Sequence, residues 1–251
     1  MIELNGKHIL VEGASSGIGR ATAIVLSNCG AKLSLVARRE DALRETLESL
    51  TGEGHSIYPF DLKKTNEIGE MISQLVRTNG PVDGLAYCAG VSTNRPLSMY
   101  TYEKIHDVML INFYAYYETI RILSKKGNFN PGASFVAISS TASVKGSPAQ
   151  SAYAASKAAI DASMRCMAKE LSGKGIRLNT VMPSMVRTAM FEKFSDRSGS
   201  VGNYNAMIAE RQYLGIGEPT DVANAIAFLL SNESRFITGI QLPVDGGYTS
   251  C

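Results

Sequence analysis

The sequence predicts an α/β fold in which a doubly wound parallel sheet of about seven strands is covered by helices on both faces. Three observations carry this expectation. Short β-rich runs alternate with longer stretches of helical apolar spacing, the sequence form of βαβ units. Several of the short runs are apolar on both faces, as strands buried in a parallel sheet are. A chain of 251 residues that is 45% hydrophobic can bury one large core, so residues 1–251 are expected to form one domain.

The elements follow in order. His8 to Val11 reads as a strand, and the helix beginning near Gly17 carries Ile18, Ala21, Val25 and Leu26 at helical spacing. Lys32 to Ala37 is a second strand, followed by a helix over 40–51 with Leu43, Leu47 and Leu50 on one side. His55 to Pro59 is the third strand, and Ile68, Ile72 and Leu75 mark a helix over 65–79. Val82 to Cys88 and Ser134 to Ser139 read as buried strands on either side of one long helix over 101–126. A helix over 152–172, a strand from Ile176 to Met182, a helix from Pro219 to Leu230 and a last strand around Ile240 to Val244 complete the series. Between 183 and 217 the pattern loosens, yet Met185, Met190, Phe191, Phe194, Tyr204, Met207 and Tyr213 remain. That many large apolar groups in a polar stretch predict a lid over a ligand at about 184–217, the alternative being short helices that cover core.

Composition excludes several classes of function. The 25 basic and 23 acidic residues leave a net charge of +2 with no long run of either sign, so no nucleic-acid partner is expected. No stretch approaches the ~20 apolar residues of a membrane span, and Met1 leads into Ile2-Glu3-Leu4-Asn5, so the expected location is the cytoplasm. Cys29, Cys88, Cys166 and Cys251 contain no CxxC pair, and His8, His55 and His106 lie far from them, so neither disulfides nor a metal site are expected.

The chemistry begins at Gly13-Ala14-Ser15-Ser16-Gly17-Ile18-Gly19, between the first strand and the first helix. Glycines there let the backbone turn and approach a pyrophosphate, which the helix N-terminus then meets with unpaired N–H groups. A tight turn needed only for packing is the plainer reading of such a cluster. Further on, Tyr153 and Lys157 are four residues apart on one predicted helix and share a face. A cation about 4 Å from a phenol at an effective dielectric near 20 supplies roughly the 4 kcal/mol needed to bring it from about 10 to about 7. On an exposed helix the same two residues would be an ordinary surface pair.

These motifs, taken together, resemble the short-chain dehydrogenase/reductase family, and the resemblance runs the length of the chain. The GxxxGxG spacing, Tyr153-Ala154-Ala155-Ser156-Lys157 with Ser139-Ser140 before it, Asn112, Ala89-Gly90 and Val244-Asp245-Gly246-Gly247 carry it. The resemblance implies a single-domain Rossmann fold and hydride transfer between a nicotinamide and a carbonyl or secondary alcohol. Tyr153 would be the acid/base, aided by Lys157 and the positive oxidised nicotinamide. Ser140 would hold the substrate oxygen, with Ser139 as its substitute. Asn112 would bind a water linking Lys157 to solvent, against the alternative of a buried Asn at a helix kink. Cofactor contacts are implied for Gly13, Ser15, Ser16, Gly17, Ile18 and Gly19 in the loop. They are also implied for Asp61 and Leu62 after the third strand, for Ala89 and Gly90 after the fourth, for Tyr153 and Lys157, and for Pro183, Val186 and Thr188.

Glu12 stands where the family has Thr, Tyr87-Cys88 where it has an Asn pair, and Ser184 where it has Gly. A carboxylate one residue before a phosphate loop has to turn away from it, and Glu12 is expected to accept hydrogen bonds from residues 88 to 90. The second strand ends Ala37-Arg38-Arg39 without the acid that holds both ribose hydroxyls in NAD sites, so Arg38 and Ser15 are expected to favour NADP(H), with NAD(H) as the alternative.

The overall pattern is close to 3-oxoacyl-carrier-protein reductases, with hydroxysteroid, sugar or general carbonyl reduction as alternatives. A Rossmann protein that senses nucleotides without turnover is the alternative of another class. The substrate is a small carbonyl or alcohol, or one carried on an acyl-carrier protein. Lys125, Lys126 and Lys174 offer a patch for such a carrier, unless they only complement helix C-termini. Ala154, Ala155, Ala158, Ala159 and Ala162 permit close helix approach, and with the resemblance they imply a homotetramer, or failing that a dimer.

Overall fold

The computed structural model describes residues 2–189, 191 and 211–250. Seven strands form one parallel sheet in the order β3-β2-β1-β4-β5-β6-β7. They are β1 (His8–Glu12), β2 (Lys32–Ala37), β3 (Ser56–Pro59), β4 (Val82–Tyr87), β5 (Phe129–Ile138), β6 (Arg177–Pro183) and β7 (Gln241–Val244). The α-helices among the described residues are α1 (Gly17–Asn28), α2 (Glu40–Glu48), α3 (Ile68–Asn79), α4 (Tyr102–Met109), α5 (Ala115–Leu123), α6 (Ser151–Ser172) and α7 (Pro219–Leu230). No helix among the described residues is long and apolar enough to cross a membrane.

Strand alternation divides the core into two layers. Ile9 and Val11 of β1, with Val136 and Ile138 of β5, pack toward Leu26 of α1 and Ile226 of α7. Leu10, Phe135 and Ala137 face the other way, toward Ile72 of α3, Ile120 of α5 and Ile160 of α6. This is the period of two acting on strands buried on both faces.

The predicted helix over 101–126 is broken. Between α4 and α5, Leu110–Tyr114 form a π-helical turn, and the helix ends at Leu123. Asn112 sits in that turn, fully buried. Its Oδ1 accepts from Val91 N at 2.8 Å and its Nδ2 donates to Val91 O at 3.0 Å, so the amide docks the segment after β4 onto the helix.

The expectation for Glu12 is corrected. Its side chain does not reach residues 88 to 90; only its backbone carbonyl does, accepting from Cys88 N at 2.9 Å. The carboxyl, on the same strand face as Leu10, points at α5 and accepts from Thr119 Oγ1 at 3.2 Å to each oxygen. Pairing β1 with β4 places residue 88 alongside in the sheet, so a side chain standing perpendicular to it meets the helix layer instead. Burial pushes this carboxyl up to about 8, and the hydroxyl of Thr119 only partly offsets the effect. Tyr87, packed edge-to-face on Tyr116 beside it, donates its hydroxyl to the Ile111 carbonyl.

Candidate active site

The strand order reverses between β1 and β4, and a cleft of about 380 Å³ opens beyond the carboxyl ends of the strands there. The glycine loop forms one wall. Gly13 has φ +83°, and a Cβ on it would lie 2.7 Å from the Ala89 backbone nitrogen; a Cβ on Gly19 would lie 2.1 Å from the Gly13 carbonyl oxygen. The first glycine therefore lets β1 turn past β4, and the last lets α1 sit directly on the turn. Ser16 precedes α1 in extended conformation with no side-chain cap, so the first-turn N–H groups are left for a ligand. The loop, the helix end and the cleft fit a dinucleotide.

Every cofactor-contact residue expected from the sequence lines this cleft: Gly13 and Ser15 to Gly19, Arg38, Asp61, Leu62, Ala89, Gly90, Tyr153, Lys157, Pro183, Val186 and Thr188. Asp61 also accepts from Lys63 N at 3.0 Å, which fixes its carboxylate at the turn after β3. Arg38 is exposed at the end of β2, while Glu40 opens α2 and pairs with Arg44 rather than with the cleft.

Tyr153 and Lys157 come together on the first turns of α6, with Lys157 Nζ 5.9 Å from the Tyr153 ring centroid. The ammonium is 3% exposed and donates to the Ile138 carbonyl at 2.7 Å. Burial draws Lys157 down to about 8, opposed by the charge of Asp161 and by Cys88. Tyr153 is pushed above the usual phenol value by burial, and the hydrogen bond with Ser140 pulls the other way. The chain by itself therefore holds the phenol protonated at neutral pH instead of lowering it, because burial of the ring outweighs the bond with Ser140. Ser140 Oγ accepts from Ala142 N at 3.2 Å and lines the cleft. Ser139, the expected substitute, is committed elsewhere: it is buried and donates to Asp161.

Asn112 lies across Gly90 from Lys157. A Cβ on Gly90 would be 3.4 Å from Lys157 Nζ and 3.5 Å from Asn112 Oδ1. Both protons of Asn112 Nδ2 are taken, by Val91 O and by Ser156 Oγ at 2.9 Å, which leaves Oδ1 with one lone pair beyond its bond from Val91 N.

Of the expected lid, Met190, Phe194, Tyr204 and Met207 lie outside the described residues. Its two stems are described. Val186 bridges to Gly217, Arg187 N donates to Gly217 O at 2.8 Å, and Gln212 exchanges bonds with both backbone groups of Met185. Met185 and Phe191 face the cleft. Ser92, Lys145, Gln150 and Tyr248 line it too, and sequence reasoning missed them. Gln150 and Tyr248 adjoin recognisable motifs, but loops carry no period that tells which way a side chain turns.

The lysine patch is not at the cleft. Lys125 and Lys126 precede β5 and Lys174 precedes β6, at the amino edge of the sheet, opposite the catalytic end. Lys174 Nζ donates to the Ser124 carbonyl at 2.9 Å, completing the C-terminus of α5.

A dinucleotide cleft with a Tyr/Lys pair and a serine on its wall defines a nicotinamide-dependent oxidoreductase. The family model described as enoyl-(acyl carrier protein) reductase matches residues 13–249. The 3-oxoacyl-(acyl-carrier-protein) reductase of Thermotoga maritima is 31% identical, over 98% of this chain and 99% of its own. The L-xylulose reductase of Caenorhabditis elegans is 32% identical, over 99% of this chain and 98% of its own. A solved dehydrogenase/reductase from Sinorhizobium meliloti 1021 superposes with a TM-score of 0.88 at 29% identity, over 99% of this chain and 97% of that one. The chain belongs to the short-chain dehydrogenase/reductase family and acts on CH–OH groups and the matching carbonyls with a nicotinamide dinucleotide.

Proposed function

We propose that this protein is an NADP(H)-dependent carbonyl reductase of the 3-oxoacyl-reductase kind, working as one domain over 1–251 with 184–217 as its lid. The observation that carries the reading is the convergence of Ser140, Tyr153 and Lys157 on the cleft that the glycine loop opens. The bound nicotinamide supplies the hydride in reduction and accepts it in oxidation. Ser140 donates a hydrogen bond to the substrate oxygen and orients it. Tyr153, protonated, gives its proton to the same oxygen as charge develops there. Lys157 stabilises the phenolate left behind, and a water on the remaining lone pair of Asn112 Oδ1 returns the proton.

The substrate is tested by consumption of NADPH and NADH over a panel of 3-oxoacyl thioesters, free and carrier-bound, with sugars, steroids and simple ketones. Preference for a 3-oxoacyl thioester is expected; turnover confined to a sugar or steroid would replace that substrate, and no turnover with any member would favour a nucleotide sensor. The same panel tests the cofactor. Arg38 at the cleft and Glu40 drawn to Arg44 support the 2′-phosphate. A hydrogen bond to a charged group contributes roughly 1.5–3 kcal/mol. Arg38→Ala is accordingly expected to weaken NADPH about tenfold to a hundredfold and leave NADH nearly unchanged, and equal loss for both would reassign Arg38 to adenine or to the fold.

Assembly as a homotetramer is part of this reading. Ala155 and Ala162 of α6 are exposed, and Tyr102, Ile105, Tyr114 and Tyr117 leave an apolar surface on the α4–α5 side. Light scattering at micromolar protein is expected to give a tetramer mass; a monomer would refute it.

A further inference from the structure

Asp161 lies one turn beyond Lys157 and two beyond Tyr153 on α6, is 2% exposed, and takes part in none of the steps above. Two hydroxyls hold its carboxylate. Ser139 Oγ donates to Oδ2 at 2.5 Å, and Thr180 Oγ1 of β6 donates to Oδ1 at 2.9 Å. A buried charge is a weak way to join a helix to a sheet, since well-packed apolar side chains of similar volume do as well or better. Its use lies in what it touches.

Ser139 directly precedes Ser140. Its backbone N donates to Val181 O at 2.8 Å, and Lys157 Nζ holds the preceding carbonyl, that of Ile138. The end of β5 that presents Ser140 is thus fixed by β6 through the backbone and by α6 through two side chains. The second contact is electrostatic. The groups that face Lys157 are Tyr153 and Asp161 from its own helix, Cys88 from the end of β4, and the neutral Ile138 carbonyl from β5. Burial holds the Cys88 thiol up at about 12, so near neutral pH it carries no charge.

We propose that Asp161 is a positioning residue that anchors the strand end carrying Ser140 and supplies the counter-charge to Lys157, without touching the substrate. This rests on the reductase reading for its kinetic consequence but not for its electrostatic one. Three variants separate the parts. Asp161→Asn keeps the shape and removes the charge. Ser139→Ala keeps the charge and frees the strand end, and Thr180→Val removes only the bond from β6.

The charge is read without substrate, by following the lysine Cε resonances of carbon-13-labelled apo-protein with pH, the Lys157 signal being assigned by its loss in Lys157→Arg. In Asp161→Asn its midpoint is expected to fall by about one pH unit or more, as loss of a nearby opposite charge requires. In Ser139→Ala and Thr180→Val it should stay close to the parent's. The anchor is read by turnover of the best panel substrate: Ser139→Ala should lower kcat about tenfold with little change in KM for the cofactor. The alkaline fall in kcat/KM should move to lower pH in Asp161→Asn alone. A Lys157 midpoint unmoved in a folded Asp161→Asn would overturn the counter-charge. If Ser139→Ala kept full kcat, the anchor would be wrong. Should the midpoint move while no parent substrate is found, the reductase reading fails and the electrostatic assignment stands.

Discussion

Replacing Tyr153 by Phe is expected to lower kcat on the best panel substrate by about 10²- to 10⁴-fold, the usual contribution of a positioned general acid, or roughly 3–5 kcal/mol. The substitution keeps the ring and its place on α6 and removes one hydroxyl, so cofactor affinity should change little. What is lost is the proton that burial keeps on the phenol and the bond it shares with Ser140. Neither neighbour replaces it. Ser140 is an alcohol far too weak as an acid, and Lys157 already donates to the Ile138 carbonyl. The pH dependence of the parent follows from Lys157. Its folded value is drawn down to about 8, so the cation is present below that pH and is lost as pH rises through it. Reduction should therefore decline on the alkaline side of about 8. A Tyr153→Phe enzyme that consumed cofactor with substrate as fast as the parent would remove the phenol from the mechanism.

Glu12→Gln is expected to stabilise the protein by several kcal/mol at about pH 8 while changing it little at about pH 5. The sign follows from the shift. Burial raises the folded carboxyl from 4.5 to about 8. Below the lower value both the folded and unfolded chains hold the proton. Between the two, the unfolded chain has released it and the folded chain has not, so stability falls by about 1.4 kcal/mol for each pH unit. Above about 8 the loss levels off, at a total on the order of 5 kcal/mol. Gln is isosteric, can still accept from Thr119 Oγ1, and has nothing to titrate. Denaturant unfolding of parent and variant across that range should give curves that diverge as pH rises. Parallel curves would show that Glu12 is ionised and compensated in the folded chain.

This carboxyl marks the limit of what the sequence conveys. The alternation of strands and helices, the loop from Gly13 to Gly19, and Tyr153 with Lys157 on one helical face were all legible, because each depends on a local period or on a few neighbouring residues. So was the absence of an acid after β2. Facing direction at Glu12 followed the same period, but the partner it meets did not. Thr119 lies 107 residues away and reaches Glu12 only because α5 covers the face of the sheet between β1 and β4.

Tertiary structure alone decided the rest. The π-helical turn at Leu110–Tyr114 interrupts an otherwise continuous helical pattern, since docking Asn112 onto Val91 requires a wider turn than apolar spacing reveals. The sequence ranks Ser140 before Ser139 only through the family resemblance, whereas the fold separates them by commitment: the Ser139 hydroxyl is taken by Asp161 and that of Ser140 stands at the cleft wall. Where Lys125, Lys126 and Lys174 lie relative to the cleft, at the opposite edge of the parallel sheet, is likewise set by strand order alone. What the sequence by itself determined was the set of elements and the chemistry within reach of one helix or one loop. Which groups meet across the sheet was set by strand order and by burial, the long-range packing that no local period encodes.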